Sequence, residues 1–408
     1  SSWDETYVHT RHNPRGRTVL EERVEGDHHE PWTWVRNEGK GRVFYTAWGH
    51  DQRTWGHPGF QNLVERGIRW AAGRDPSAAG PYVDHPEMNR LPEGLEAFSF
   101  VPAKVPAYDA SSSKWGAQLE PKQEMQAPLA PEESRRHALV PEGFHVDLVA
   151  AEPTIAAKPL AMAFDASGRL FVAESVDYPN ELVLPGDGEG HDRIVRLDDT
   201  DGDGVVDARH VVADSLSIPT SILPHDGGWI VAAAPFILAL DDTDGDGTAD
   251  TRRVLSKGWG TGDTHSGPSN LAWGFDGWVY GMVGYSGFDG EVGGERVRFG
   301  AGFFRFLPDG SKLEFLRSTN NNSWGFGFSE EGLVFGSTAN GNPSEHMPLA
   351  NRVYERVRGW SATTLGGISG SPLMELAKRS DGSDAPVRQV DHFGKFTAAA
   401  GHRLYTAR

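Results

Sequence analysis

"GPSNLAWGFDGWVYGMVG", residues 267–284, is a short apolar strand, a turn on Gly277 and a second apolar strand. The same phrase returns as "PLAMAFDASGRLFVAES" (159–175), "IPTSILPHDGGWIVAAAP" (218–235), "NSWGFGFSEEGLVFGST" (322–338) and, cut short, "FTAAAGHRLYTAR" (396–408). The turn glycines Gly168, Gly227, Gly277 and Gly332 are 59, 50 and 55 residues apart. A phrase recurring at such intervals marks radially repeated four-stranded sheets, whereas a sandwich has no reason to repeat one phrase five times. The reading predicts a mainly β chain over 137–408, a β-propeller with five blades visible out of an incomplete six-bladed ring.

Between the copies, the heptapeptide "DDTDGDG" occurs at 198–204 and again at 241–247, an interval of 43 residues. Each copy lies between two short strands, "RIVRL" and "RHVVA" for the first, "FILAL" and "RRVLS" for the second. If the repeated phrase supplies the two inner strands of a blade, these flanks are its outer strands and the acidic loop joins them at the rim. Asp199, Asp201, Asp203 and Asp207, and likewise Asp242, Asp244, Asp246 and Asp250, stand at relative positions 1, 3, 5 and 9. Oxygen ligands at that spacing suit a hard cation such as calcium, with Gly204 or Gly247 permitting the sharp turn. An EF-hand would need Glu at position 12, where His210 and Arg253 stand, and would need flanking helices. The expected role is architectural.

The chain has 408 residues, enough for two or three domains, and its 50 glycines and 26 prolines favour short strands and turns over long helices. A net charge of −18 argues against a nucleic-acid partner, which would need a basic face. The absence of cysteine excludes disulfides, thiolate metal sites and a cysteine nucleophile, and suits an exported protein. No apolar run approaches the length of a membrane span.

Residues 1–73 read as α/β material. "GRVFYTAWGH" (41–50) is a buried strand, and "PGFQNLVERGIRWAAG" (58–73) is a helix with Phe60, Leu63, Val64, Ile68 and Ala71 at helical spacing. His50 follows the strand, where such domains present functional groups; a surface or cap histidine is the plainer reading. This is too little for an independent domain, and "SSWDETYVHT" reads as mid-domain sequence, so the chain is expected to be a fragment. Residues 74–136 lose periodicity and read as an extended Pro/Ser-rich connector lying along a neighbouring domain through Phe98, Phe100 and Trp115.

In a propeller, loops leading into the innermost strands and loops leaving the second strands converge on the channel mouth. That rule selects Glu174, Asp177, Tyr178, Asn180, Asp263, His265, Asn270, Tyr285, Asn320, Asn321, Asn322 and Trp324. His265 is the sole imidazole in the set and the natural general base. The alternative for each residue is a turn residue bonding its own backbone.

The run "EPWTWVRNEGKGRVFYTAWGHDQRTWGHPGFQNLVERGIRWAAG" (30–73) resembles the C-terminal end of a trehalose-utilisation (ThuA-like) domain, which has the class I glutamine amidotransferase fold. The resemblance puts His50 at that family's strand-end histidine and implies a role in sugar metabolism without amidotransferase activity. Residues 137–408 resemble the propeller of a family of membrane-bound dehydrogenases, large exported proteins of environmental bacteria. Many of these carry a ThuA-like domain in front, and helical repeats and a c-type haem domain behind. That propeller is similar to the soluble quinoprotein glucose and sorbosone dehydrogenases, which use pyrroloquinoline quinone (PQQ) with calcium. Their catalytic histidine lies in an "H-x-G" turn before a strand ending "D-G-x-x-Y", and "HSGPSNLAWGFDGWVY" (265–280) keeps it, which implies the same role for His265. Their quinone-holding arginine is replaced by Asn321 in "NNNSWG" (320–325), which removes a bidentate anchor for an anionic quinone.

The resemblance implies a periplasmic or extracellular sugar oxidoreductase that takes a proton from a small-molecule carbohydrate at His265. Glu174, Tyr178, Asp263, Asn270, Tyr285, Asn321 and Trp324 would bind substrate or cofactor. The rival expectation is a non-catalytic carbohydrate-binding or scaffold propeller, with Trp324, Tyr285 and Tyr178 stacking on sugar faces.

Overall fold

The structure is a computed structural model and describes residues 4–81, 89–105, 122–179, 181–319, 321–339, 342–355, 357, 358, 401, 402 and 404. By its contacts the chain divides into two units, residues 1–94 with 136–146, and residues 95–135 with 147–408.

In the first unit, β1 (Arg17–Glu25), β2 (His28–Glu38) and β3 (Gly41–Thr46) form an antiparallel sheet in that order. A short helix α1 (Gln52–Trp55) and the longer α2 (Pro58–Ala71) follow. α2 starts on an N-cap in which His57 Nδ1 accepts the Gly59 N–H at 3.1 Å, and Pro58 supplies a preset φ. Phe60 and Gly67 are its buried positions, but Ile68 of the expected apolar stripe is 62% exposed. Gly67 is required by packing, since a Cβ there would collide with the Phe44 ring of β3. Residues 136–146 join this unit because Asn89 donates its N–H to Val140 O at 2.8 Å and its carboxamide to Phe144 O at 2.6 Å.

Within the stretch read as an extended connector, the described residues include a strand pair and a short helix. β4 (Phe100–Val105) pairs antiparallel with β5 (Lys122–Gln126), and α3 (Pro131–Arg136) follows. Glu133 of α3 is buried and accepts the Glu96 N–H at 2.7 Å. Trp115 lies outside the described residues.

The rest of the second unit is mainly antiparallel sheet. The first sheet is β6 (Lys158–Phe164), β7 (Leu170–Ser175), β8 (Asp192–Asp198) and β9 (Ala208–Leu216), in sequence order. The second repeats it with β10 (Ser221–His225), β11 (Gly228–Ala233), β12 (Phe236–Asp241) and β13 (Thr251–Lys257). The third has β14 (Pro268–Trp273), β15 (Val279–Val283), β18 (Gly302–Phe306) and β19 (Leu313–Ser318), with a hairpin of β16 (Phe288–Val292) and β17 (Glu295–Phe299) inserted between its second and third strands. In the fourth, β20 (Ser323–Phe328), β21 (Val334–Thr338) and β22 (Glu345–Met347) are followed by a short helix α4 (Asn351–Tyr354). The fifth copy of the phrase falls mostly outside the described residues.

The turn glycines explain the regularity. Gly168, Gly227, Gly277 and Gly332 all take φ near +80°, a left-handed conformation that a Cβ disfavours, so each closes the tight link between the first two strands of its sheet. Core residues lie in the seams between consecutive sheets. Ala173, Ile194, Ile222 and Val231 join the first to the second; Ile230, Ile237, Leu271 and Phe304 join the second to the third; Met282, Phe303, Phe326 and Val334 join the third to the fourth. Burying each large side chain contributes about 1.5–3 kcal/mol.

The acidic loops join the third and fourth strands of the first two sheets, as the sequence predicts. Each also bonds backwards. Ala249 N donates to Val212 O of the first sheet at 2.9 Å, and Val206, at the matching place in the first loop, donates to Val149 O at 2.8 Å.

Candidate functional site

Four connecting segments meet around His265. It sits in the loop entering β14, where Asp263 Oδ1 accepts the His265 backbone N–H at 2.9 Å and lies 3.0 Å from its ring Nδ1. A proton on Nδ1 is donated to this carboxylate, which leaves the lone pair on Nε2. The same bond holds the Asp263 carboxyl below its ordinary value. The imidazole side chain is 57% exposed.

The backbone of this loop is fixed from behind. Ser266 is fully buried, its hydroxyl lies 2.5 Å from that of Ser286, and both hydroxyls reach Asp263 O, at 3.0 and 2.9 Å. Asn322 Nδ2, just before β20, and Trp324 Nε1, from the second residue of that strand, donate to the His265 carbonyl at 2.8 and 2.5 Å. Tyr285, after β15, donates its hydroxyl to Asn321 Oδ1 at 2.9 Å. After β7, the Tyr178 ring meets the imidazole edge-on at 5.2 Å, and Thr264 Oγ1 donates to Pro179 O at 2.8 Å.

His265, Asp263, Tyr178, Tyr285, Asn321 and Trp324 are therefore brought together. Three other predicted residues serve different ends. Glu174 is completely buried, paired with Arg209 Nη2 at 2.5 Å, and accepts the Ala156 N–H at 2.8 Å, so its oxygens hold structure together. Asn270 takes φ +54° at a bulge in β14; its Nδ2 donates to Ser269 Oγ, and the next N–H, of Leu271, reaches Ser221 Oγ of the second sheet at 2.9 Å. Asp177 is buried and binds His191 Nδ1 at 2.7 Å, which raises the His191 pKa. Asn180 and Asn320 lie outside the described residues. Sequence reasoning missed Ser266, Ser286 and His191: small hydroxyls in Gly-rich loops carry no spacing signal, and His191 merely precedes a strand.

The chemistry of this cluster is that of a polar, aromatic-walled surface with one oriented imidazole. Its side chains include no arginine or lysine. A polyanionic quinone such as PQQ would face the Asp263 carboxylate and the Asn321 carboxamide instead of a guanidinium, so these residues do not fit that cofactor.

The two acidic loops have nearly the same geometry. Asp199 accepts the Gly202 and Gly204 N–H groups, each at 2.8 Å, and Asp242 accepts those of Gly245 and Gly247 at 2.8 and 2.9 Å. The backbone bonds from Gly204 first hold Asp199 below its ordinary pKa, and Thr243 does the same for Asp250. Carboxylate oxygens of Asp199, Asp201 and Asp203, and of Asp242, Asp244 and Asp250, gather within 4.8 Å of one another. Asp207 instead takes the N–H and hydroxyl of Thr200, and Asp246 takes the Thr248 N–H. An oxygen-rich donor set of this kind fits calcium.

In the first unit, His50 Nε2 lies 3.3 Å from Glu5 Oε2, while Asp4 receives the backbone N–H groups of Gly49, His50 and Asp51.

Residues 130–408, well over half of the chain, match the model of a domain of unknown function, DUF7133. The chain belongs to the DUF7133 family. Ahead of the DUF7133 region, residues 1–71 match the trehalose utilisation (ThuA) model. Among curated proteins none matches. Solved structures similar to this DUF7133 chain include the PQQ-bound aldose sugar dehydrogenase of Streptomyces coelicolor, at 15% identity and TM-score 0.35, covering 54% of this chain and 70% of that one. The PQQ domain of pyranose dehydrogenase from Coprinopsis cinerea is similar at 17% identity and TM-score 0.32, covering 47% and 48%. A gluconolactonase from Xanthomonas campestris is similar at 18% and 0.32, covering 47% and 57%. The chain thus spans about half the length of the last two. No helix among the described residues is long and apolar enough to cross a membrane.

Proposed function

We propose that the DUF7133 region is a β-propeller acting on carbohydrate outside the cytoplasm, with His265 as the base that takes a proton from a sugar hydroxyl. The consecutive sheets are its blades, and the fifth and a further blade complete the ring. Calcium in the two acidic loops braces the rim, and residues 1–73 are the C-terminal part of a ThuA-like domain with an amidotransferase-type fold, linked through 74–136. The observation that carries this reading is the seating of His265: Nδ1 on Asp263, Tyr178 against the ring, and the carbonyl held twice from β20. A base must present a free lone pair to its substrate in a fixed direction, and Nε2 does so. These residues supply the proton-transfer half of a sugar oxidation; the electron acceptor binds through other groups.

A second reading, a carbohydrate-binding or scaffold propeller, is favoured by Asn321, whose carboxamide is engaged by Tyr285 where the dehydrogenases would have a cation. One experiment separates them. Sugars are screened for oxidation with an artificial electron acceptor and for binding by calorimetry. If His265 is the base, His265→Gln lowers turnover by roughly 10²–10⁴ while binding changes little. If the chain only binds, no sugar is oxidised, His265→Gln behaves as wild type, and Trp324→Ala abolishes binding.

A further inference from the structure

The segment between β7 and β8 carries Tyr178 to the His265 ring, and two buried carboxylates fasten its ends. Asp192, at the start of β8, has no exposure to water. It accepts Ser175 Oγ at 2.6 Å, the N–H groups of Val176 and Asp177 at 2.7 and 3.0 Å, and that of Ile218 at 2.7 Å. Asp177 is 2% exposed; its Oδ2 accepts the His191 N–H at 3.1 Å, and its Oδ1 lies 2.7 Å from His191 Nδ1. Tyr178, the next residue, donates its N–H to Ser175 Oγ at 2.9 Å. Among the described residues His191 is the one ion-pair partner of Asp177, and Asp192 has none.

We propose that Asp177 and His191 are a positioning pair, and that the proton on His191 governs how firmly Tyr178 seats the His265 imidazole.

Two carboxylates out of water, joined through the Asp177 N–H, have a single imidazole to balance them. The 2.7 Å separation is that of a charge-assisted bond. The His191 side chain is 69% exposed, so it exchanges its proton with solvent while its partner stays buried. The bond to Asp177 raises the His191 pKa above 6.5, and the charges of Asp192 and Glu181 add to the effect. Lys158 of β6 also approaches, but its ammonium goes to Val176 O at 3.2 Å. Because the folded pKa is raised, the clamp is fully present below about 6.5 and is lost as pH rises through the folded value. A neutral His191 leaves Asp177 a weaker bond and the two carboxylates no counter-charge. The loosened segment is the one whose Tyr178 ring meets the imidazole at 5.2 Å and whose Pro179 carbonyl takes Thr264 Oγ1 at 2.8 Å. Any effect on turnover rests on the proposed role of His265; the coupling between the two histidines does not.

The test uses the 408-residue chain labelled with 13C at histidine Cε1 and followed by NMR from pH 5 to 9. His191→Gln and His265→Gln assign the two signals. In wild type His191 should titrate above 6.5, and the His265 signal should show two inflections, its own and a second where His191 loses its proton. His191→Gln and Asp177→Asn should each abolish the second inflection, the latter with the imidazole still in place. Tyr178→Leu should abolish it too, since the coupling runs through that ring, whereas His225→Gln should leave it intact. A single inflection in wild type would overturn the proposal. So would a second inflection that survives Tyr178→Leu, which would mean that the charge of His191 acts directly through space. On the proposed sugar oxidation, turnover should fall about tenfold across the same pH range. A wild type that shows both inflections and oxidises no sugar would sustain the coupling and overturn the proposed reaction instead.

Discussion

Trp324 reaches from one sheet to the next to donate its indole N–H to the backbone carbonyl of His265, 2.5 Å away. The bond acts on the imidazole through its own main chain, so Trp324 is a positioning residue. Trp324→Phe keeps an aromatic wall and removes the donor. Expected are a loss of about 1 kcal/mol in stability and a turnover about tenfold lower with sugar affinity little changed. Steady-state kinetics beside calorimetry would separate the two effects, and an unchanged turnover would mean that Asn322 alone suffices.

Calcium should raise the melting temperature of the chain. At a hundredfold excess over the dissociation constant, mass action gives about 2.7 kcal/mol per site. Asp201→Ala with Asp244→Ala should abolish the rise, while magnesium, which demands tighter octahedral geometry, should substitute poorly. Scanning calorimetry with and without calcium decides it; a rise that survives the double substitution would place the ion elsewhere.

Arg209 reaches Glu174 from the outermost strand of the first sheet, and Glu174 has no exposure to water. Arg209→Ala should therefore cost about 3 kcal/mol by leaving the buried carboxylate with only the more distant Arg193, 3.8 Å away, as a cationic partner. Glu174→Gln with Arg209→Met should recover much of that loss. Denaturant unfolding of the three variants measures the coupling.

Glu345 on β22 gives the chain a definite pH response. Burial pushes its carboxyl from 4.5 up to about 7. Between those values folded Glu345 holds its proton more tightly than unfolded Glu345, so its contribution to stability is fully present below pH 4.5 and is lost as pH rises through 7. At about 1.4 kcal/mol per unit the full swing is roughly 3 kcal/mol. Glu345→Gln should flatten this part of the curve, and melting temperatures at pH 5 and 8, wild type against variant, test it.

The sheets of the second unit were legible because the turn glycines and alternating apolar residues are local signals, repeated. The acidic loops were legible for the same reason, down to the strands they join. The site was legible only in part. His265 and its aromatic neighbours follow from where loops must converge. Glu174 is buried against Arg209, a partner 35 positions later, and sequence cannot tell such a carboxylate from one facing the mouth. The function of Asn270 is a backbone bulge, which its side-chain chemistry does not announce.

The backward bonds of the acidic loops have a consequence for how such a chain grows in evolution. Ala249 brings a donor, and Val212 of the preceding sheet offers the acceptor; Val206 brings the matching donor and finds Val149. The second repeat thus carries the plug for the first, and the first carries the socket for the second. A duplicated copy would arrive with both fittings already made, and could enter the series without either neighbour changing a residue. Val149 supplies that socket from a segment that is no strand, which frees the start of the series from needing a sheet before it.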